Sequence, residues 1–156
     1  MENHTEDRPA AAPCGILVTG HGRFASGLVD AIEVIMGGPQ AGLMAVDFSA
    51  SDTAAQLREN LARGLNALRR HDTVVVFCDL RGGSPFNVMH ELRGTRDGIE
   101  LLHGVNLPQL ITFASERDRG ESVESLIGAA IADGRAGLGR LEEPTPAATD
   151  ADDDWA

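Results

Sequence analysis

The chain of 156 residues contains no lysine; all 13 of its basic residues are arginine. A Walker-type phosphate loop and a Schiff-base mechanism each require a lysine, so both are excluded. Cysteine is almost as scarce. Cys14 and Cys78 stand 64 positions apart, form no C-x-x-C pair and are too few for a zinc cluster. Cys78, inside "VVVFCD", reads as a small buried hydrophobe. No apolar run approaches the roughly 20 residues that a membrane-spanning helix needs. The opening "MENHTEDRPAAAPC" is polar and acidic, which fits neither a secretory signal nor a transit peptide, so a cytoplasmic protein is expected. No internal repeat is present. No two histidines have local metal-ligand spacing, and neither a metal nor an organic cofactor is expected.

The length and the 42% of hydrophobic residues fit one globular domain with a proper core. The net charge of −11 is concentrated at the ends. Residues 140–156 carry a local charge of −5 and residues 1–13 carry −2, leaving −4 for the 126 residues between. No basic face for nucleic acid is indicated. The stretch "EEPTPAATDADDDWA" (142–156) has the composition of a disordered acidic tail, with Trp155 as a lone aromatic whose role is open. Residues 1–13 are expected to be a disordered extension and 14–141 the folded domain.

Within that domain, apolar runs of strand length alternate with segments of helical period. "GILVTG" (15–20) reads as a buried strand, followed by a helix whose stripe is Phe24, Leu28, Ala31, Ile32 and Ile35. "LMAVDF" (43–48) is a second strand. Ser51 or Asp52 is expected to cap the next helix, with Leu57, Leu61, Leu65 and Leu68 on its inner face. "TVVVFCD" (73–79) is β-branched without polar alternation and should be covered on both faces. Ser84 then Pro85 predicts an N-cap and N1 for a helix over 85–92. "IELLHG" (99–104) is a fourth strand, "NLPQLITFA" opens a helix, and a last helix is expected over 122–132. Four such alternations argue for an α/β domain with an open, mainly parallel sheet and helices on both faces.

In such sheets, ligands bind beyond the carboxyl ends of the strands where the strand order reverses. For the order 2-1-3-4, that point lies between the first and third strands. It brings together Thr19-Gly20-His21-Gly22 and Cys78-Asp79-Leu80-Arg81-Gly82-Gly83-Ser84, making His21 and Asp79 neighbours. A neutral imidazole is a nucleophile, and a carboxylate on its other N–H fixes the tautomer and stabilises the developing positive charge. Glycines on both sides of His21 give a bulky donor room to approach. Gly82, Gly83 and Ser84 offer backbone N–H groups and a hydroxyl at a helix N-terminus, which suits a phosphate, and Arg81 is a candidate for an added charge. Each piece has a plainer structural explanation: the histidine as a strand end, the aspartate as a turn former, Gly-Gly-Ser-Pro as turn plus cap. Their convergence reads as a phosphohistidine site. His103, at the end of the fourth strand, is the rival acceptor; His4, His71 and His90 fall in a tail, a link and a helix.

Three stretches in register, "GILVTGHGRFASGL" (15–28), "VVFCDLRGGSPFN" (75–87) and "GVNLPQL" (104–110), resemble the mannose-type enzyme IIA of the bacterial phosphoenolpyruvate-dependent sugar phosphotransferase system. The resemblance spans residues 14–140. It implies a flavodoxin-like fold, usually homodimeric, in which the histidine matching His21 accepts a phosphoryl group from the phosphocarrier protein HPr and passes it to a IIB protein. It further implies that Asp79 holds the imidazole, that Ser84 helps bind the phosphoryl group, and that the membrane is met only through IIC and IID subunits. In some members a C-terminal strand is exchanged between subunits; residues 134–141, "GRAGLGRL", would be that fifth strand, although their composition suits a strand poorly. Some relatives continue through an Ala/Pro-rich linker into a IIB domain; here the IIB partner is expected to be separate. The expected function is therefore a cytoplasmic phosphotransferase, a relay subunit for sugar uptake. The same His21 site would equally serve as phosphoryl donor to dihydroxyacetone kinase, or as a phosphorylation-state regulatory module without transport. Leu80 and Arg81 occupy positions that vary among relatives, and an arginine near the phosphate would bear on partner choice.

Overall fold

A computed structural model describes residues 14–144. The proposed terminal extensions, with His4 and Trp155, lie outside the described residues except for 142–144, which form no regular element. The elements run β1 (Cys14–His21), α1 (Phe24–Met36), β2 (Leu43–Phe48), α2 (Ala54–Ala67), β3 (Thr73–Cys78), α3 (Ser84–Leu92), a 3-10 turn (Arg93–Thr95), β4 (Ile99–His103), α4 (Leu107–Glu116) and α5 (Val123–Ala136). All strand pairings are parallel, in the order β2-β1-β3-β4.

Because successive side chains of a strand face opposite ways, β1 and β3 each feed two cores. Ile16, Val18, Val75 and Phe77 pack with Ala25 and Ile32 of α1, Leu110 and Phe113 of α4, and Leu126 and Ala130 of α5. Leu17, Val74, Val76 and Cys78 pack on the other face with Leu57, Leu61 and Leu65 of α2 and Met89 and Leu92 of α3. A strand buried on both faces needs no polar alternation, which is why "TVVVFC" is so plainly readable. The expected leucine stripe of α2 is entirely buried.

Five details differ from expectation. The stripe of α1 is rotated: Ala25, Val29 and Ile32 are buried, whereas Phe24 and Ile35 are exposed, because the helix is apolar on more than one side. The cap of α2 is Thr53, not Ser51 or Asp52. Its Oγ1 accepts Gln56 N–H at 3.2 Å while Gln56 Oε1 accepts Thr53 N–H at 2.7 Å, a reciprocal capping box. Asp52 instead turns back to accept Ser49 N–H at 2.9 Å. Gly83, not Ser84, is the N-cap of α3, and Ser84 and Pro85 are its first helical residues. Finally, α5 extends to Ala136, and residues 137–144 form no strand, so the described sheet has four strands and no fifth. Gly134, the start of the expected fifth strand, is instead a buried helical residue. Asn106 Nδ2 donates to its carbonyl at 2.7 Å, and a Cβ there would stand 2.9 Å from Gln109 Cβ.

Candidate functional site

The register of β1 on β3 pairs Thr19 with Cys78, so both chains leave the sheet side by side. Asp79 N–H donates to Thr19 O at 3.2 Å, and this bond sets the aspartate beneath His21. One oxygen, Asp79 Oδ2, accepts the His21 main-chain N–H at 2.8 Å and lies 2.8 Å from His21 Nδ1. A carboxylate only accepts, so in the neutral ring Nδ1 carries the proton and Nε2 keeps its lone pair. The pairing the strand order predicted is therefore present. The His21 side chain is 46% exposed and that of Asp79 only 14%.

Burial by itself would raise the Asp79 carboxyl. The bonds from the His21 main chain and ring, with the attraction of the ring's charge, outweigh it and hold the pKa below its ordinary value. The carboxylate thus stays ionised wherever the imidazole is neutral. Burial and the neighbouring Asp79 push the Cys78 thiol up to about 12, so this cysteine is an inert core residue, as its sequence context suggested.

Two glycines bring the groups this close. A Cβ on Gly20 would stand 2.7 Å from Phe24 Cδ1 and 2.9 Å from Asp79 Cγ; one on Gly83 would stand 2.7 Å from His21 Cε1 and 3.4 Å from Nε2. The Cε1–Nε2 edge of the ring therefore lies against Gly83, the N-cap of α3. That helix end has no side-chain cap. Pro85 has no N–H and Asn87 N–H already bonds Gly83 O at 2.9 Å, which leaves the Ser84 and Phe86 N–H groups directed out of the first turn. Asn87 Nδ2 donates to Gly82 O at 3.0 Å and clamps the turn, whose Gly82 adopts φ +81°. Ser84 Oγ makes no hydrogen bond among the described residues. An anion on Nε2 would meet the positive end of α3.

Arg81 is exposed in the same turn, and its side chain makes no hydrogen bond or ion pair among the described residues. His103 is not brought to His21. Its ring packs edge-on against Phe86 at 5.9 Å, and His90 stacks on the same Phe86 at 6.4 Å. The sequence reading missed the end of β2. Phe48 sets its ring 5.8 Å from that of His21, at 64°, and Asp47 bonds Ser26 at the start of α1. The strand order contained the signal, since β2 flanks β1 and its carboxyl end must lie beside His21. Among the described residues no group of three His, Cys, Asp or Glu side chains could hold a metal ion, and no helix is long and apolar enough to cross a membrane.

Residues 15–131 match the family described as "PTS system fructose IIA component", EIIA-man. The mannose-specific EIIAB component of Escherichia coli K12 is 30% identical over 140 residues, covering 85% of this chain and 43% of that protein. The chain thus spans less than half the length of that relative. The fructose-specific EIIA component of Bacillus subtilis is 27% identical over 103 residues, or 66% of this chain and 70% of that one. Among solved structures, EIIA from Streptococcus agalactiae superposes with a TM-score of 0.73 at 28% identity, over 81% of this chain and 96% of the other. The IIA protein associated with the fucose utilization operon of Streptococcus pneumoniae gives 0.74 at 25% identity, over 84% and 95%.

Proposed function

The chain belongs to the EIIA-man family of phosphotransferase-system IIA components, and from that premise we propose that it is a phosphoryl-relay subunit whose acceptor is His21. Phospho-HPr is the donor, a IIB protein the next acceptor, and sugar uptake in the cytoplasm the outcome. The observation that carries this reading is the 2.8 Å contact of His21 Nδ1 with Asp79, which turns Nε2 to the uncapped end of α3.

The Nε2 lone pair attacks the phosphorus of the donor's phosphohistidine. A new N–P bond forms as the donor's N–P bond breaks, and the donor imidazole leaves with that electron pair. The positive charge that develops on the His21 ring is drained towards Asp79 through Nδ1–H. The transferred group's oxygens meet the Ser84 hydroxyl and the Ser84 and Phe86 N–H groups, with Gly82 and Gly83 leaving the approach clear. Donor and acceptor are the same chemical type, so the step is nearly balanced and positioning supplies most of the acceleration. The exposure of His21 suits a donor carried by another protein.

A homodimer is part of the same proposal. Among the described residues the outer edge of β4 is unpaired, and beside it runs a groove lined by Gln109, Ile131, Arg135 and Leu138, which fits a segment from a second copy.

The test is to incubate the chain with phosphoenolpyruvate, enzyme I and HPr and measure acid-labile phosphate. Wild type should take up one phosphoryl group per chain and His21→Ala none. Labelling of His21→Ala at the wild-type rate overturns the assignment.

A further inference from the structure

The proposed acceptor is held from β1 and β3, and β2 grips it from a third side. Only Gly22 and Arg23 separate His21 from α1, so the position of the ring and the start of the helix are tied together. Arg23 occupies the N-cap and supplies no side-chain bond. The missing cap comes from another strand. Asp47 Oδ1 accepts Ser26 N–H at 2.9 Å, and Asp47 Oδ2 accepts the Ser26 hydroxyl at 2.6 Å. Ser26 is the third residue of the helix, whose N–H a cap residue ordinarily satisfies. The next residue of β2 closes the other end of the turn, since Gly22 N–H donates to Phe48 O at 2.8 Å. Gly22 itself takes φ +59°. Two consecutive residues of β2 thus pin both sides of a two-residue turn.

The pinned turn reaches the carboxylate as well. Phe24, the first residue of α1, lies on the bare face of Gly20 that Asp79 also occupies: a Cβ there would meet Phe24 Cδ1 at 2.7 Å and Asp79 Cγ at 2.9 Å. Movement of the first turn therefore moves the wall of Asp79 and the backbone of His21 together.

We propose that Asp47 is a positioning residue of the phosphotransfer site. Through Ser26 it fixes the first turn of α1, and through that turn it keeps His21 in the rotamer whose Nδ1 meets Asp79. This rests on the reading of His21 as the acceptor. The role is geometric. Asparagine at 47 keeps an acceptor for Ser26 N–H and a polar partner for the hydroxyl, whereas alanine keeps neither. A cap that served stability alone would lower the melting temperature of the alanine variant and leave the ring's tautomer untouched.

The test uses the full chain as wild type, Asp47→Ala, Asp47→Asn and Ser26→Ala, each checked for folding by circular dichroism. The first readout is the initial rate of phosphate uptake from phospho-HPr. The second is the ¹⁵N spectrum of the His21 ring in the unphosphorylated protein, at a pH where the imidazole is neutral. Wild type should show the Nδ1–H tautomer. Asp47→Ala should show a mixture with Nε2–H and a rate about 10- to 100-fold lower, the cost of misplacing a reacting atom by about 1 Å. Asp47→Asn should stay within about threefold of wild type, because asparagine and aspartate cap equally well. Folded Asp47→Ala with the wild-type tautomer and rate overturns the proposal, as does Asp47→Asn behaving like Asp47→Ala. If Asp47→Ala does not fold, Ser26→Ala decides: a shift towards Nε2–H supports the role and an unchanged ring refutes it. Should wild type accept no phosphate at all, the acceptor reading fails, and the tautomer still tests Asp47 by itself.

Discussion

Replacing Gly83 by alanine places a methyl carbon 2.7 Å from His21 Cε1 and 3.4 Å from Nε2. Carbons in ordinary contact sit about 3.5–4.0 Å apart, so the ring must retreat by about 1 Å. The Nδ1–Oδ2 contact is 2.8 Å, and a displacement of that size carries it past the roughly 3.2 Å limit of a good N–H···O bond. Apart from that bond, the folded state has little to lose. Gly83 has φ −72° and ψ 165°, an extended conformation that alanine adopts without strain. A more restricted unfolded chain should add about 0.4–1 kcal/mol of stability. Alanine's inferiority to glycine as an N-cap should remove about 0.5–1 kcal/mol. The two nearly cancel. What remains is the loss of the half-exposed Nδ1–Oδ2 bond, so thermal melting of Gly83→Ala should fall no further than that of Asp79→Asn, while phosphate uptake from phospho-HPr falls about 10- to 100-fold. Uptake at the wild-type rate would show that the ring escapes without leaving Asp79 and would refute the argument. A loss of stability larger than that of Asp79→Asn would instead place the defect in the turn.

Asp79→Asn should slow phosphate uptake on the order of a hundredfold, the usual contribution of a positioned acid–base partner, without unfolding the chain; normal transfer removes Asp79 from the mechanism. The same variant tests the pH linkage. The Asp79 carboxyl is held below its ordinary 3.8, so its contribution to stability is complete above that value and disappears as pH falls through the folded pKa. The melting-temperature advantage of wild type over Asp79→Asn should thus be constant near neutrality and shrink below that value, and an advantage that grew in acid would contradict the assignment. Burial raises both thiols, that of Cys78 to about 12, so Ellman's reagent at mildly alkaline pH should detect neither in the native chain and both after denaturation. A thiol titrating promptly in native protein would count against the buried positions. Arg117 is buried and donates to the carbonyls of Cys14, Ala41 and Gly42. Arg117→Ala should lower unfolding free energy by about 2–3 kcal/mol in a denaturant titration, and a loss below about 0.5 kcal/mol would show the latch to be idle.

What the sequence makes legible follows from how strongly each feature is over-determined. Strand β3 is buried on both faces, so its apolar run has one reading, and the alternation with leucine-striped α2 yields the parallel order. From that order, two residues 58 positions apart, His21 and Asp79, meet as expected. Features decided by competition between near-equal choices are not legible in this way. Ser51, Asp52 and Thr53 are all competent caps, and only the reciprocal bond with Gln56 selects the last. Ser84 is a better cap than Gly83 by propensity, yet the turn must bring its bare Cα against the imidazole, so the glycine takes that position. The face of α1 is legible only in part: Leu28 and Ile32 pack inward as expected, but the helix is apolar on more than one side, and packing on the sheet buries Ala25 and Val29 rather than the bulkier Phe24. The cap supplied by Asp47 is invisible to local reasoning, since donor and acceptor lie 21 residues apart.

That distant cap bears on why the proposed phosphoryl group would have one destination rather than two. Helices α1 and α3 both begin beside His21, and each N-terminus is a partial positive charge with unpaired N–H groups. Both lack a cap from their own N-cap residue, Arg23 in one case and Gly83 in the other. Left equivalent, the two ends would compete for an anion bound to the ring. They are not equivalent, because the Asp47 carboxylate already occupies the first turn of α1 and takes both the N–H and the hydroxyl of Ser26. A second acceptor there would find the Ser26 N–H and hydroxyl already taken. At α3 the first-turn N–H groups of Ser84 and Phe86 have no side-chain acceptor among the described residues, and Gly83 keeps the way open. The ring's own orientation agrees, since Asp79 holds Nδ1 and the edge bearing Nε2 faces α3. In the proposed transfer the two carboxylates thus act in one direction: Asp79, just past β3, selects the nitrogen that reacts, and Asp47 of β2 occupies the Ser26 donors of α1, leaving those of α3 beside the reacting edge.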